Sequence, residues 1–156
     1  MTTAQRIAAF VAEPAVAVVG VSRTGKGFGN LACRELRAKG YRVYPIHPIE
    51  PAIGDERAYA QITDVPERIN AALVVVPPHA ALDVVRDACA AGVRYVWLQQ
   101  GAESTQVLAL CHDLRLEVVM GQCILMYTNP TGLHRAHRWV HDLFGALTIS
   151  SSAAAS

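Results

Sequence analysis

The chain has 156 residues, 52% of them hydrophobic and 17% charged, with 14 Lys and Arg against 13 Asp and Glu for a net charge of +1. A chain of this length buries a core without disulfides or structural metal, and a near-zero charge excludes the electrostatic footprint of a nucleic-acid binder. No apolar run approaches the ~18 residues of a membrane helix, and Met1 to Arg6 holds no apolar leader with a cleavage site, so one cytoplasmic domain is expected.

Apolar positions Ile7, Ala8 and Val11 at helical spacing predict a short helix over Thr3 to Ala12, ending at Glu13-Pro14. Strand one is Val16 to Val19. A loop with Gly20, Gly25, Gly27 and Gly29 follows, and Phe28, Leu31, Ala32 and Leu36 then carry a helix to about Lys39, stopped by Gly40. Arg42 to Ile46 is strand two, Ile49 to Arg57 a loop, and Ala58 to Ala60 a short third strand at the sheet edge. Asp64-Val65-Pro66-Glu67 has the form of a helix start, with Asp64 as cap and Pro66 in the first turn.

Ala71 to Val76, stopped by Pro77-Pro78, reads as strand four, buried on both faces. A helix over about Ala80 to Ala91 turns Leu82, Val85 and Cys89 inward and ends at Gly92. Tyr95 to Leu98 is strand five, Gln99 to Glu103 a loop, Thr105 to Leu114 a helix and Val118 to Met120 strand six. Asp83, Asp87 and Asp113 read as helix surface. Cys33, Cys89 and Cys111 read as buried thiols, and Cys123 as a small buried hydrophobe rather than a reactive group. About Leu133 to Phe144 the pattern is an amphipathic helix with His134, His137 and His141 on one face, which suits a solvated or homo-oligomer interface better than a metal. Ser150 to Ser156 is a mobile tail.

Strands alternating with helices predict an α/β fold, a doubly wound parallel sheet of order 3-2-1-4-5-6 in which the Gly-rich loop faces Val76-Pro77-Pro78-His79. Glycines there would let the backbone approach a ligand, and the N-terminus of the following helix favours a phosphate. Gly20 to Gly27 matches the ATP-binding pattern G-x-x-x-x-G-K, but Gly27 stands where a magnesium-binding Ser or Thr belongs. The NAD fingerprint G-x-G-x-x-G fails at Ser22, and strand two ends in Pro45-Ile46-His47 without a carboxylate for ribose.

Val18 to Arg23, Pro45 to Pro48, Asp64 to Glu67, Val75 to Pro78, Trp97 to Glu103 and Gly121 to Cys123 occur in that order. Together they resemble the stand-alone bacterial CoA-binding domain proteins of the YccU type, which are similar to the N-terminal domain of the succinyl-CoA synthetase α subunit. The resemblance implies a Rossmann-like CoA-binding domain over residues 4–126, leaving 127–149 as a helical extension and 150–156 as the tail. It also implies that Gly20, Ser22, Arg23 and Lys26 lie at the phosphates of coenzyme A or an acyl-CoA. Pro45 and His47 would border the nucleotide, Val76 and Pro77 would meet the adenine or pantetheine side, and Gln99, Gly101 and Glu103 would complete the cleft. The synthetases carry a second domain with a phosphorylated histidine, for which this chain has no room, so the resemblance implies binding rather than ligase catalysis. The other readings are an NAD(P)-binding enzyme and an interaction module with a vestigial nucleotide site.

Overall fold

The computed structural model describes residues 1–128. Its strands are β1 (Ala15–Val19), β2 (Arg42–Ile46), β3 (Ala52–Ile53), β4 (Glu56–Arg57), β5 (Ala71–Val74), β6 (Tyr95–Leu98) and β7 (Glu117–Val119). Its helices are α1 (Thr3–Val11), α2 (Phe28–Ala38), α3 (Pro78–Ala90) and α4 (Thr105–Asp113). Short 3₁₀ turns stand at Ile62–Asp64 and Ile124–Met126. The expected helix at Leu133 to Phe144, its three histidines and the tail lie outside the described residues.

Every residue of β1 and β5 is buried, as their unbroken apolar sequences require of strands covered on both sides. The five strands pair in parallel in the order β2-β1-β5-β6-β7, which makes the sheet doubly wound and Rossmann-like. Alternate side chains feed two cores. Ala15, Ala17, Val19, Ala72, Val74, Val96 and Leu98 pack with Ala81, Val85, Ala88, Val107 and Cys111 of α3 and α4. Val16, Val18, Ala71, Leu73 and Trp97 pack on the other side with Phe10 and Val11 of α1 and Ala32, Cys33 and Leu36 of α2. Trp97, fully buried, meets the Phe10 ring edge-on with centroids 5.3 Å apart and donates its indole N–H to the Gln122 carbonyl at 3.0 Å. Burial also pushes the Tyr41 hydroxyl up to about 12 while it donates to the Val11 carbonyl, tying the end of α1 to the turn before β2.

Five expectations are corrected. The third strand at Ala58 to Ala60 contracts to a single parallel bridge between Ile46 and Tyr59, so the sheet has five strands rather than six and its order loses the edge member. The loop at 49–57 instead holds the β3–β4 hairpin, turned at Gly54-Asp55 with Gly54 at φ 62°. No helix starts at Asp64. Val65 is extended (φ −65°, ψ 133°), as a residue before proline prefers, so the chain leaves its 3₁₀ turn, bends through 65–67 and reaches β5 without a helix. Glu67, expected inside that helix, takes hydrogen bonds from Arg42 and Tyr44, which hold its carboxyl below the usual range. Asp87 is not mere helix surface: its carboxylate accepts from the Ile62 N–H at 2.6 Å and the Thr63 hydroxyl at 3.0 Å, pinning that turn to α3. On the same helix Ala81, Val85 and Ala88 point fully inward, whereas Leu82 and Cys89 are half-buried.

Candidate functional site

Parallel pairing carries the C-terminal ends of β2, β1, β5 and β6 to one edge of the sheet, and the expected site residues all follow or end these four strands. The loop between β1 and α2 is braced from within. Asn30, buried in the first turn of α2, accepts the Ser22 N–H on Oδ1 at 2.8 Å and donates Nδ2 to the Ser22 carbonyl at 3.0 Å. The Ser22 carbonyl also accepts from the Gly25 N–H at 3.1 Å, and the Ser22 hydroxyl lies 2.8 Å from that of Thr24. The loop is thus shaped by bonds within the chain.

The glycines divide into two kinds. A Cβ on Gly20 would stand 2.3 Å from the Val75 carbonyl oxygen, and one on Gly29 would stand 2.4 Å from the Gly20 carbonyl oxygen. These two serve protein packing: they let β1, the β5–α3 connection and α2 close on one another. Gly25 and Gly27 face open space, with nothing nearer to a Cβ than the Asn30 Oδ1 at 4.0 Å from Gly27. Gly27 is also the N-cap of α2 and supplies no side chain to its first turn, so backbone N–H groups there keep their donors available. Arg23 and Lys26 are exposed and enter no ion pair among the described residues.

Across the β1–β5 seam, Val76 is half-buried and the exposed Pro77 is the N-cap of α3, again with no side-chain cap. His47 shapes the turn after β2: its Nδ1 accepts from the N–H groups of Ile49 at 3.2 Å and Glu50 at 2.9 Å. After β6, Gln99 is buried and accepts the Ile124 N–H at 3.4 Å, so its side chain serves the chain that follows β7. Glu103 accepts the Gly101 N–H at 2.9 Å and closes its own loop.

Pro45 is buried at the end of β2 and lines a cavity of about 280 Å³ between α2, β2 and the β3–β4 hairpin. Val21, Gly25, Asn30, Cys33, Arg34 and Arg37 form its inner walls, and Ile53 to Glu56 its outer one. Of the eleven expected site residues only Pro45 lines this cavity; Arg34, Arg37 and Asn30 were not anticipated. Spacing held a partial signal, since Asn30, Arg34 and Arg37 recur at helical intervals on one face of α2 directly after the glycines. Burial pushes the Cys33 thiol up to about 11, so it faces the cavity protonated and unreactive. Among the described residues no three of His, Cys, Asp and Glu gather closely enough to hold a metal ion, and no helix is long and apolar enough to cross a membrane.

The model of the CoA binding domain family matches residues 14–129, and the chain belongs to that family. It is 30% identical over 82 residues to the ADP-forming acetate-CoA ligase II of Archaeoglobus fulgidus, a match covering 51% of this chain and 12% of the ligase. It is also similar to the structure of a conserved hypothetical protein from Pyrococcus furiosus, with 29% identity, a TM-score of 0.66 and coverage of 71% of this chain and 96% of that one. A hypothetical protein from Pyrococcus horikoshii shares the fold at 22% identity and a TM-score of 0.74, covering 81% and 89% of the two chains.

Proposed function

We propose that this member of the CoA binding domain family binds coenzyme A or an acyl-CoA at the C-terminal edge of its sheet, through the β1–α2 loop and without ligase activity of its own. The observation that carries the reading is the state of that loop. Asn30 braces it from below, Gly25 and Gly27 leave its outer side open, and the uncapped N-terminus of α2 adds free N–H donors. Backbone donors at a helix N-terminus favour a pyrophosphate, and Arg23 and Lys26 supply a guanidinium fork and a point charge beside it. Val76 and Pro77 form the apolar wall opposite, across the seam from Gly20. Gln99 and Glu103 bind locally and so bound the cleft by shape rather than by direct contact.

The end of β2, Pro45-Ile46-His47, carries no carboxylate for a ribose, which speaks against NAD, whereas the adenosine ribose of CoA carries a phosphate. The ligase similarity covers a small part of that enzyme, so only the binding step is carried over. A thermal-shift comparison of the protein with CoA, acetyl-CoA, NAD, NADP and ATP at matched concentrations tests the reading, since a ligand that binds only the folded state raises the midpoint. A rise confined to the CoA species is expected. A rise with NAD or ATP alone would assign the loop to another nucleotide, and none at all would leave it without one.

A further inference from the structure

We infer that Arg34 and Arg37, on one face of α2, form the seat for the 3′-phosphate of the bound nucleotide, and that Glu56 of β4 holds Arg37 in that place until the phosphate arrives. The inference rests on the CoA reading and adds to it the residues that distinguish CoA from nucleotides without that phosphate.

Position is the first argument. In a sheet wound this way, a nucleotide whose pyrophosphate sits after β1 lays its ribose at the end of the second strand. Here that strand end is Pro45, which lines the arginine cavity together with Gly25 of the phosphate loop. Size is the second. At about 280 Å³ the cavity stands at the bottom of the ~300–1,000 Å³ range of small-molecule sites, room for a phosphate and part of its sugar rather than for a whole CoA.

Charge is the third argument. Two guanidinium groups three residues apart on a helix repel, and a dianion between them removes the conflict. Arg34 spends one N–H on the Gly25 carbonyl at 3.2 Å, and Arg37 spends one on the Val43 carbonyl at 3.3 Å and pairs with Glu56. Each guanidinium has five donors, so both keep several for a phosphate. The Glu56 side chain is 47% exposed, and so exposed a carboxylate is a weak, screened partner that phosphate can replace. The Cys33 thiol on the arginines' own wall is protonated, and the two carboxylate residues at the cavity, Asp55 and Glu56, stand on the hairpin wall opposite, Glu56 being the one paired with an arginine.

Titration calorimetry with CoA and with dephospho-CoA separates this seat from the rest of the site. The protein is expected to bind CoA at least about tenfold tighter than dephospho-CoA, the usual scale of one good charge-assisted contact. Arg34→Gln and Arg37→Gln should each weaken CoA and bring the two ligands to within about threefold of one another. Glu56→Gln should tighten CoA and leave dephospho-CoA where it was. Arg34→Gln, which costs one hydrogen bond of an exposed side chain, decides the matter alone if Arg37→Gln does not fold. A preference that survives in Arg34→Gln overturns the seat, as does equal binding of the two ligands by the unaltered protein, and both results leave the CoA reading standing. Binding of neither ligand overturns both.

Discussion

Asn30 and the backbone of Ser22 exchange two hydrogen bonds, one donated in each direction, at 2.8 and 3.0 Å. This side chain from the first turn of α2 does for the loop what a neighbouring strand does for an edge: it satisfies both the N–H and the carbonyl. The arrangement fixes the loop's shape from within the chain, which would lower the ordering cost of the proposed binding.

Asn30→Ala is therefore expected to destabilise the fold by about 1–3 kcal/mol, because it leaves the partly buried Ser22 N–H unpaired and its carbonyl with the Gly25 N–H alone. It should also weaken CoA beyond what the stability loss explains. Urea midpoints and calorimetry on the same preparation separate the two effects; a stable variant with unchanged affinity would show that the brace has no part in binding.

The double variant Arg23→Ala with Lys26→Ala should weaken CoA by roughly 2–4 kcal/mol, the sum of two charged phosphate contacts of ordinary size. Both side chains are exposed, so stability should move by no more than ~0.5 kcal/mol. Unchanged affinity would move the phosphate site away from this loop.

Gly20→Ala and Gly25→Ala test the two kinds of glycine. The first drives a methyl to 2.3 Å from the Val75 carbonyl oxygen at φ 113°, and should cost more than ~4 kcal/mol or abolish folding. The second meets nothing within 4 Å and bears only the strain of φ 73°, about 1–2 kcal/mol. Equal losses in chemical denaturation would mean that packing against Val75 does not explain Gly20.

Arg115 ends α4 in the left-handed region at φ 58°, where its N–H donates to the His112 carbonyl and that of Leu116 to the Cys111 carbonyl. Arg115→Gly removes the Cβ strain and should raise stability by about 0.5–1 kcal/mol net of glycine's larger unfolded-state entropy. A lower thermal midpoint would contradict this.

Burial raises the thiols of Cys33 and Cys111 from 9.0 to about 11 each. In the unfolded chain these thiols ionise first, so between about pH 9 and 11 the folded state binds more protons and stability falls as pH rises. The slope reaches at most ~1.4 kcal/mol per pH unit for each thiol, and stability from this source is fully present below pH 9. Replacing both cysteines by Ala should flatten that alkaline limb of the urea-midpoint profile, and an unchanged limb would place its cause elsewhere.

Sequence alone determined the features that depend on neighbours along the chain. Unbroken apolar runs at Val16 to Val19 and Ala71 to Val76 announce strands covered on both faces, the second ending two residues earlier in the fold, and Gly40 and Gly92 end α2 and α3 where helical spacing stops. The alternation of these elements was enough for a doubly wound parallel sheet and for a loop at its C-terminal edge. Tertiary structure decided what depends on residues distant in the chain. Asp64 to Glu67 has the local chemistry of a helix start, yet Glu67 serves Arg42 and Tyr44 on β2, 25 and 23 residues earlier. Gly20 follows β1 as a phosphate-loop glycine would, and only the position of Val75 shows that packing also requires it. Asn30, Arg34 and Arg37 went unread in the sequence, because a side chain's partner is set by what the fold lays against its helix face: here the Ser22 backbone, the end of β2 and the β3–β4 hairpin. Hydrogen bonds and charge act over a few ångströms of space regardless of separation in the chain, so local pattern shows the elements and the fold assigns their chemistry.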